Sequence, residues 1–249
     1  MSRGERPRKA VITGGAAGLG AAIAQQLAAS GFVVWIVDRD LPAFAPAEQA
    51  LQCDLSDLDG LSQLSDHLIQ IGPFDLVVMS AGISAVGAFE TLPAAALRDV
   101  VAVNCIAPVI LTRELLARGL IAKGGRLVFV SSLSHFTGYP GASAYAASKD
   151  ALVAFARSLR RPLRSGHAIT VQVTTPGPMR TAHAERYAPA GSSGKGRADP
   201  AEVARNILRN RRRFMIVPGL PAKAMARFGW HFPGYATRAM RKIIFEKLI

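Results

Sequence analysis

From Ala10 to Val37 the chain carries no Lys, Arg, Asp or Glu, directly behind the basic stretch of residues 1–9. A basic start followed by an uncharged run imitates a leader peptide or a membrane span. The interior of the run argues otherwise. Five glycines and two glutamines interrupt it, and the apolar residues fall into two separate blocks. The pattern predicts a strand over 9–13, a glycine-rich turn, a helix over 18–30 and a second strand over 32–37. Gly31 stands where a helix C-terminus favours a residue without Cβ. A strand, a glycine turn and a helix feeding a further strand commit the chain to the α/β class.

The turn reads Thr13-Gly14-Gly15-Ala16-Ala17-Gly18-Leu19-Gly20. Glycines let the backbone turn tightly and approach a pyrophosphate, whose charge then lies at a helix N-terminus. The spacing differs from the G-x-G-x-x-G dinucleotide fingerprint, but the position after a strand and before a helix is the same. Asp38 ends the second strand, about 20 residues beyond the turn, where a carboxylate can accept hydrogen bonds from ribose hydroxyls. A 2′-phosphate there would meet its charge, which favours NAD over NADP. Arg39 next door would offset that charge.

Further elements alternate in the same way. Residues 50–54 read as a short strand, 58–71 as an amphipathic helix, and 74–79 as a buried strand running into Ser80-Ala81-Gly82. Residues 97–123 read as helical and place Asn104 inside an apolar run. Such an amide is expensive to bury without a partner, and a satisfied core amide is as good a reading as a functional one. A strand over 125–130 ends just before Ser132, and a helix is expected over 144–163. It carries Tyr145 and Lys149, four residues apart and therefore on one face. A phenol titrates at about 10 and is a poor base at neutral pH. A neighbouring ammonium favours the phenolate, and a serine hydroxyl can hold a carbonyl or alcohol oxygen. A strand over 168–174 leads into Thr175-Pro176-Gly177-Pro178-Met179-Arg180-Thr181. The alternation implies a doubly wound parallel sheet flanked by helices.

Composition narrows the function. With 249 residues, half of them apolar, one large domain is the default. Cys53 and Cys105 lie far apart, and the five histidines are scattered, so neither a disulfide framework nor a protein-bound metal is expected. Residues 1–150 carry 11 Lys/Arg against 13 Asp/Glu, whereas 151–249 carry 19 against 4. A basic tail half suits an anionic partner. Nucleic acid is not favoured, because no recognition motif or interleaved aromatics accompany the charge.

Taken together, Thr13-Gly14-x-x-x-Gly18-x-Gly20, Asp38, Asp54-Leu55, Ser80-Ala81-Gly82, Asn104, Ser132, Tyr145-x-x-x-Lys149 and Pro176-Gly177-x-x-x-Thr181 resemble the short-chain dehydrogenase/reductase family. The likeness runs over residues 9–181 and more weakly to 219. It implies a Rossmann-type fold over residues 1–219 and hydride transfer between a nicotinamide cofactor and a secondary alcohol or ketone. It implies Tyr145 as acid/base, Lys149 as its pKa-lowering partner and ribose ligand, and Ser132, 13 residues before the tyrosine, as holder of the substrate oxygen. By the same resemblance Asn104 holds water in a proton relay to Lys149. The cofactor would lie along Gly14, Gly18, Leu19 and Gly20, then Asp38 and Arg39, then Asp54 and Leu55 near the adenine. Ala81 and Gly82 would form a wall of its site, with Pro176, Gly177 and Thr181 near the nicotinamide. Ser80 replaces the family's usual Asn, and Ala17 stands where NADP-using relatives often carry a cation, so NAD is the favoured cofactor and NADP the alternative. The family also implies a homodimer or homotetramer built through the helices bearing Asn104 and Tyr145, and the two separated cysteines suit a reducing, cytoplasmic setting.

Beyond the catalytic set, residues 182–198 read as a lid, and His183 and His135 are candidates for substrate contact. Asp199-Pro200 opens a helix that ends in the run Arg209-Asn210-Arg211-Arg212-Arg213. Residues 220–249 mix apolar faces with Lys and Arg. This basic C-terminal extension suits either an anionic membrane surface or lipid-like substrate, or packing on a partner subunit. Two alternatives stand beside the alcohol/ketone reading: an NADP-dependent reductase of 3-oxoacyl carrier or coenzyme A thioesters, and a non-catalytic dinucleotide-sensing regulator.

Overall fold

A computed structural model describes residues 6–188, 194–243 and 245–247. Its seven strands are β1 (Lys9–Thr13), β2 (Val33–Asp38), β3 (Ala50–Gln52), β4 (Phe74–Met79), β5 (Ile121–Val130), β6 (Thr170–Thr174) and β7 (Met215–Ile216). They form one parallel sheet in the order β3-β2-β1-β4-β5-β6-β7. The order reverses between β1 and β4, and such a switch point opens a crevice at the carboxyl ends of the strands.

Alternation along the strands divides the core into two layers. Val11, Val77, Met79, Leu127, Phe129 and Val173 face helices α2 (Leu61–Ile71), α4 (Ala107–Ala117) and α6 (Ser143–His167). Their neighbours Ile12, Ile36, Val78, Val128 and Val130 face α1 (Gly18–Ala29) and α8 (Pro200–Arg209). Two buried faces explain why these strands read as nearly continuous apolar runs. Asp199 accepts from the Ala201 amide and Pro200 occupies the first turn of α8, as the sequence indicated.

One expected helix needs correction. Residues 97–123 form three pieces: α3 (Ala94–Val101), a π turn (Ala102–Ile106) and α4. Helix α4 stops before Gly119, whose φ of +65° turns the chain, and Ile121 pairs with Phe74, so Lys123 belongs to β5. Apolar periodicity cannot separate a helix from a buried strand entry of the same composition. The remaining helices are α5 (Ser134–Thr137), α7 (Ala182–Arg186), α9 (Leu220–His231) and α10 (Pro233–Ile243). Of the expected lid, residues 189–193 lie outside the described residues. Its base is pinned where Ala198 bridges Met179: the Arg180 amide donates to the Ala198 carbonyl and the Ala198 amide donates to the Pro178 carbonyl.

Candidate active site

The glycine turn lies between β1 and α1, beside the end of β4. Gly14 adopts φ +68°, and a Cβ there would fall 2.6 Å from the Ala81 main chain. A Cβ on Gly20 would fall 2.0 Å from the Gly14 carbonyl oxygen. Only glycine permits either approach. Thr13 Oγ1 accepts from the amides of Ser80 and Ala81 at 3.1 and 3.3 Å, tying β1 to β4 across the switch point. Helix α1 begins with Ala17, which offers no side-chain cap, and has no acidic residue in its first turn. Its leading amides are therefore left to an anion from outside the chain.

Asp38 is held against this turn. Its carboxylate accepts from the Ala16 amide at 2.9 Å and the Asp40 amide at 3.2 Å. Arg39 points away, exposed, with Asp40 at 3.9 Å. Asp54 is exposed and accepts from the amide and hydroxyl of Ser56, which hold its carboxyl below the usual range. Leu55 is buried in the core. Thr181 caps α7, and its methyl group would stand 3.3 Å from a Cβ on Gly18. Pro176 accepts from the Leu133 amide, and Gly177 lies against Leu133 and Ala222. These contacts set Ala81, Thr181 and Asp38 against the turn, while Leu55 points into the core; the glycine cradle, uncapped helix and oriented carboxylate fit a dinucleotide.

On the substrate side, α6 carries Tyr145 and Lys149 past the end of β5. The Ser132 hydroxyl accepts from the Ser134 amide at 3.2 Å and lies beside the Tyr145 phenol, whose ionised form it favours. Lys149 is 3 % exposed, and its ammonium donates to the carbonyls of Val130 at 3.0 Å and Ala81 at 3.4 Å. Burial lowers its pKa to about 8. The Nζ stands 6.0 Å from the centroid of the Tyr145 ring. Burial raises the phenol above its ordinary value, opposed by the neighbouring Ser132 and reinforced by Tyr139. The expected lowering by Lys149 is therefore not the winning effect in the ligand-free chain: the ammonium is directed at main-chain carbonyls, while the half-buried phenol is partly withdrawn from water.

Asn104 is fully buried, on the π turn. Its Oδ1 accepts from the Ile83 amide at 2.8 Å, and its Nδ2 donates to the Ile83 carbonyl at 2.9 Å and to Ser148 Oγ at 3.0 Å. Both amide hydrogens are engaged, so this side chain clamps the segment after β4. A Cβ on Gly82 would lie 2.9 Å from Lys149 Nζ and 3.3 Å from Asn104 Oδ1.

Several contributors escaped the sequence reading. Ser131, next to Ser132, is buried and donates to the Lys149 carbonyl at 2.8 Å. Ser148 links Asn104 to the Tyr145 carbonyl. Tyr139 packs edge-on against Tyr145 with ring centroids 5.9 Å apart. It sits in a Gly/Pro loop, where no periodicity marks a side chain's direction. His183 stands 6.5 Å from Tyr145 and 4.9 Å from Tyr187. Part of its surface stays open, but the packing around it, then Lys149 and Arg186, push its pKa down to about 4. His135 turns the other way, with Nδ1 2.9 Å from Asp150. No group of metal-ligating side chains occurs among the described residues.

A parallel sheet with a dinucleotide crevice and a Ser-Tyr-Lys set at its carboxyl edge defines a nicotinamide-dependent oxidoreductase. Residues 8–190 match the family described as short chain dehydrogenase. The chain is 34 % identical over 213 residues to 1-deoxy-11-beta-hydroxypentalenate dehydrogenase of Streptomyces exfoliatus, covering 79 % of this chain and 77 % of that protein. It is 30 % identical over 174 residues to the 3-oxoacyl-[acyl-carrier-protein] reductase MabA of Mycobacterium bovis, 68 % of each chain. A short-chain dehydrogenase from Sphingobium yanoikuyae in complex with NADPH superposes with a TM-score of 0.76 at 25 % identity, over 95 % of this chain and 96 % of that one. The chain belongs to the short-chain dehydrogenase/reductase family and is an oxidoreductase of alcohol and carbonyl groups that uses a nicotinamide cofactor.

The buried lysine makes a stability prediction. Its folded value of about 8 lies below its ordinary 10.5, so between those limits the unfolded chain binds more protons and this group's contribution to stability rises with pH. The melting temperature of the wild-type chain, measured against Lys149→Met, should therefore gain on the variant from pH 8 to pH 10. A difference that stays flat or shrinks contradicts the burial of a charged amine here.

Proposed function

We propose that the chain reduces a ketone, or oxidises the matching secondary alcohol, with NAD as the preferred cofactor and Tyr145 as the acid/base. The observation that carries this reading is Lys149 buried at the switch-point crevice, donating to the carbonyls of Val130 and Ala81, with the Tyr145 ring centroid 6.0 Å from its Nζ and Ser132 beside the phenol. Bound in the crevice, a nicotinamide dinucleotide supplies or accepts the hydride. The chain's own residues handle the proton and the positioning. Ser132 donates to the substrate oxygen, fixing it beside the phenol. Tyr145 keeps its proton in the ligand-free chain and passes it to the carbonyl oxygen during reduction. In the oxidative direction the phenolate takes the alcohol proton, and positive charge nearby favours that form. Lys149 holds the two strand ends in register and offers its remaining N–H to the cofactor ribose. Asn104 fixes the Ser80–Ile83 segment. Any relay water it holds sits on its main-chain carbonyl, since its amide hydrogens are engaged.

The preference for NAD rests on Asp38, oriented by Ala16 toward the turn, and on Arg39, which faces Asp40 and leaves that carboxylate uncompensated. The substrate face carries Tyr139, His183 and Tyr187 about the phenol, which suits a bulky, largely apolar ketone. The likeness to MabA favours a second reading, a 3-oxoacyl thioester reductase using NADP, for which the basic C-terminal half would dock an acidic carrier. Self-association through the Ala94–Ala117 run, where Val101 and Ile106 stay exposed, gives a homodimer or homotetramer. Free thiols at Cys53 and Cys105 suit a reducing, cytoplasmic setting.

Tyr145→Phe should lower kcat by about 100-fold or more while NADH binding, followed by fluorescence titration, stays near wild type. Turnover undiminished in that variant removes the assignment. NADH should bind at least about tenfold tighter than NADPH, and Asp38→Ser should erase most of the gap. Tighter NADPH binding by the wild-type chain would favour the thioester reading.

A further inference from the structure

The last two described helices cover little of the fold and leave most of themselves outside it. Helix α9 buries a single line of small residues, Ala222, Ala226 and Gly229, and α10 buries only Ala236. The seat is close. A Cβ on Gly229 would lie 2.2 Å from the Phe136 carbonyl oxygen, and Thr237 donates to the Thr137 carbonyl at 3.1 Å. The arm is therefore fixed on α5, the short helix that follows Ser132. Large side chains flank that line of small ones. Met225, Phe228, Trp230, Phe232 and Tyr235 are between 38 % and 67 % exposed. Single exposed apolar residues are ordinary, but five of them within eleven residues form a patch that wants a cover.

The charge on the patch identifies the cover. Lys223, Arg227, Arg238, Arg241 and Lys242 are interleaved with those residues, and no Asp or Glu occurs between Glu202 and Glu246. Glu246 itself stands 3.8 Å from Arg241. Two copies of this face would bring five cations against five, a repulsion that opposes self-association. An anionic lipid surface satisfies both halves of the pattern, taking the aromatic rings into its headgroup boundary and pairing the cations with lipid phosphates.

We propose that α9 and α10 form a docking surface for anionic membranes, which holds the catalytic crevice at the bilayer interface. The arm also borders the loop that leads into α6. Arg241 and Phe245 line a groove of about 430 Å³ with Pro140, Gly141 and Ser143, the loop that leads into Tyr145. A lipid-like ketone held in the interface would reach that groove without crossing bulk water. This last link rests on the oxidoreductase reading; the membrane contact does not.

The test is co-sedimentation of the full chain with vesicles of equal parts phosphatidylglycerol and phosphatidylcholine, beside vesicles of phosphatidylcholine alone. Binding should be at least roughly tenfold weaker to the neutral vesicles. It should fall by a similar factor in the double variant Trp230→Ser/Phe232→Ser and in Arg227→Gln/Arg238→Gln. These side chains are exposed, so circular dichroism and NADH binding should match wild type in both variants, which separates this test from any failure of the catalytic assignment. Equal pelleting with both vesicle types, or binding unchanged by both variants, overturns the proposal. So does sedimentation velocity showing an oligomer that Trp230→Ser/Phe232→Ser dissolves without vesicle binding by the wild-type chain, since the cover would then be a second copy.

Discussion

The crevice depends on one buried cation. Lys149 Nζ reaches the carbonyls that end β4 and β5, while its own carbonyl accepts from Ser131. One side chain thus joins the two strands beside the switch point to the helix that carries the phenol. An ammonium out of water is unfavourable unless its hydrogens are bonded, and here burial brings its titration to about 8. The fold retains a group that is strained in charge but not in geometry. Such perturbed groups concentrate where chemistry is done.

Around the lysine, small residues and polar clamps keep the space open and fixed. Gly82 leaves room for the amine, Asn104 holds the main chain of Ile83 from a π turn, and Ser148 connects that clamp to α6. π turns inside helices are rare and often accompany functional sites. On the cofactor side the same economy appears as bare backbone: Gly14 and Gly20 bring main-chain atoms closer than any side chain would allow. The phenol sits where these two regions meet, raised by burial and steadied by Ser132.

Much of this was legible before any coordinates. The uncharged run with its glycine turn, the apolar strands and the four-residue interval between Tyr145 and Lys149 carry local signals that survive into the fold. The expected helix over 97–123 failed because Gly119 and the irregular entry of β5 interrupt a composition that reads as continuous. Asn104's partners were illegible because main-chain groups 21 residues away leave no mark on side-chain pattern. The net direction of Tyr145's shift also escaped the sequence, since spacing places two groups on one face but says nothing about burial or about which carbonyls compete for the lysine's charge. Exposure of the aromatic residues on α9 and α10 is likewise a tertiary fact, though their mixture with cations was visible.

The central claim is that Tyr145 is a half-buried acid whose proton is released when positive charge enters the crevice. It can be followed directly by NMR of the chain carrying 13C-labelled tyrosine, which has four such residues, with Tyr145→Phe identifying the signal. Titrated without ligand, that phenol should ionise above its ordinary value, and the oxidised dinucleotide should bring it markedly lower. A phenol that titrates normally in the free chain, or ignores the cofactor, would contradict the account.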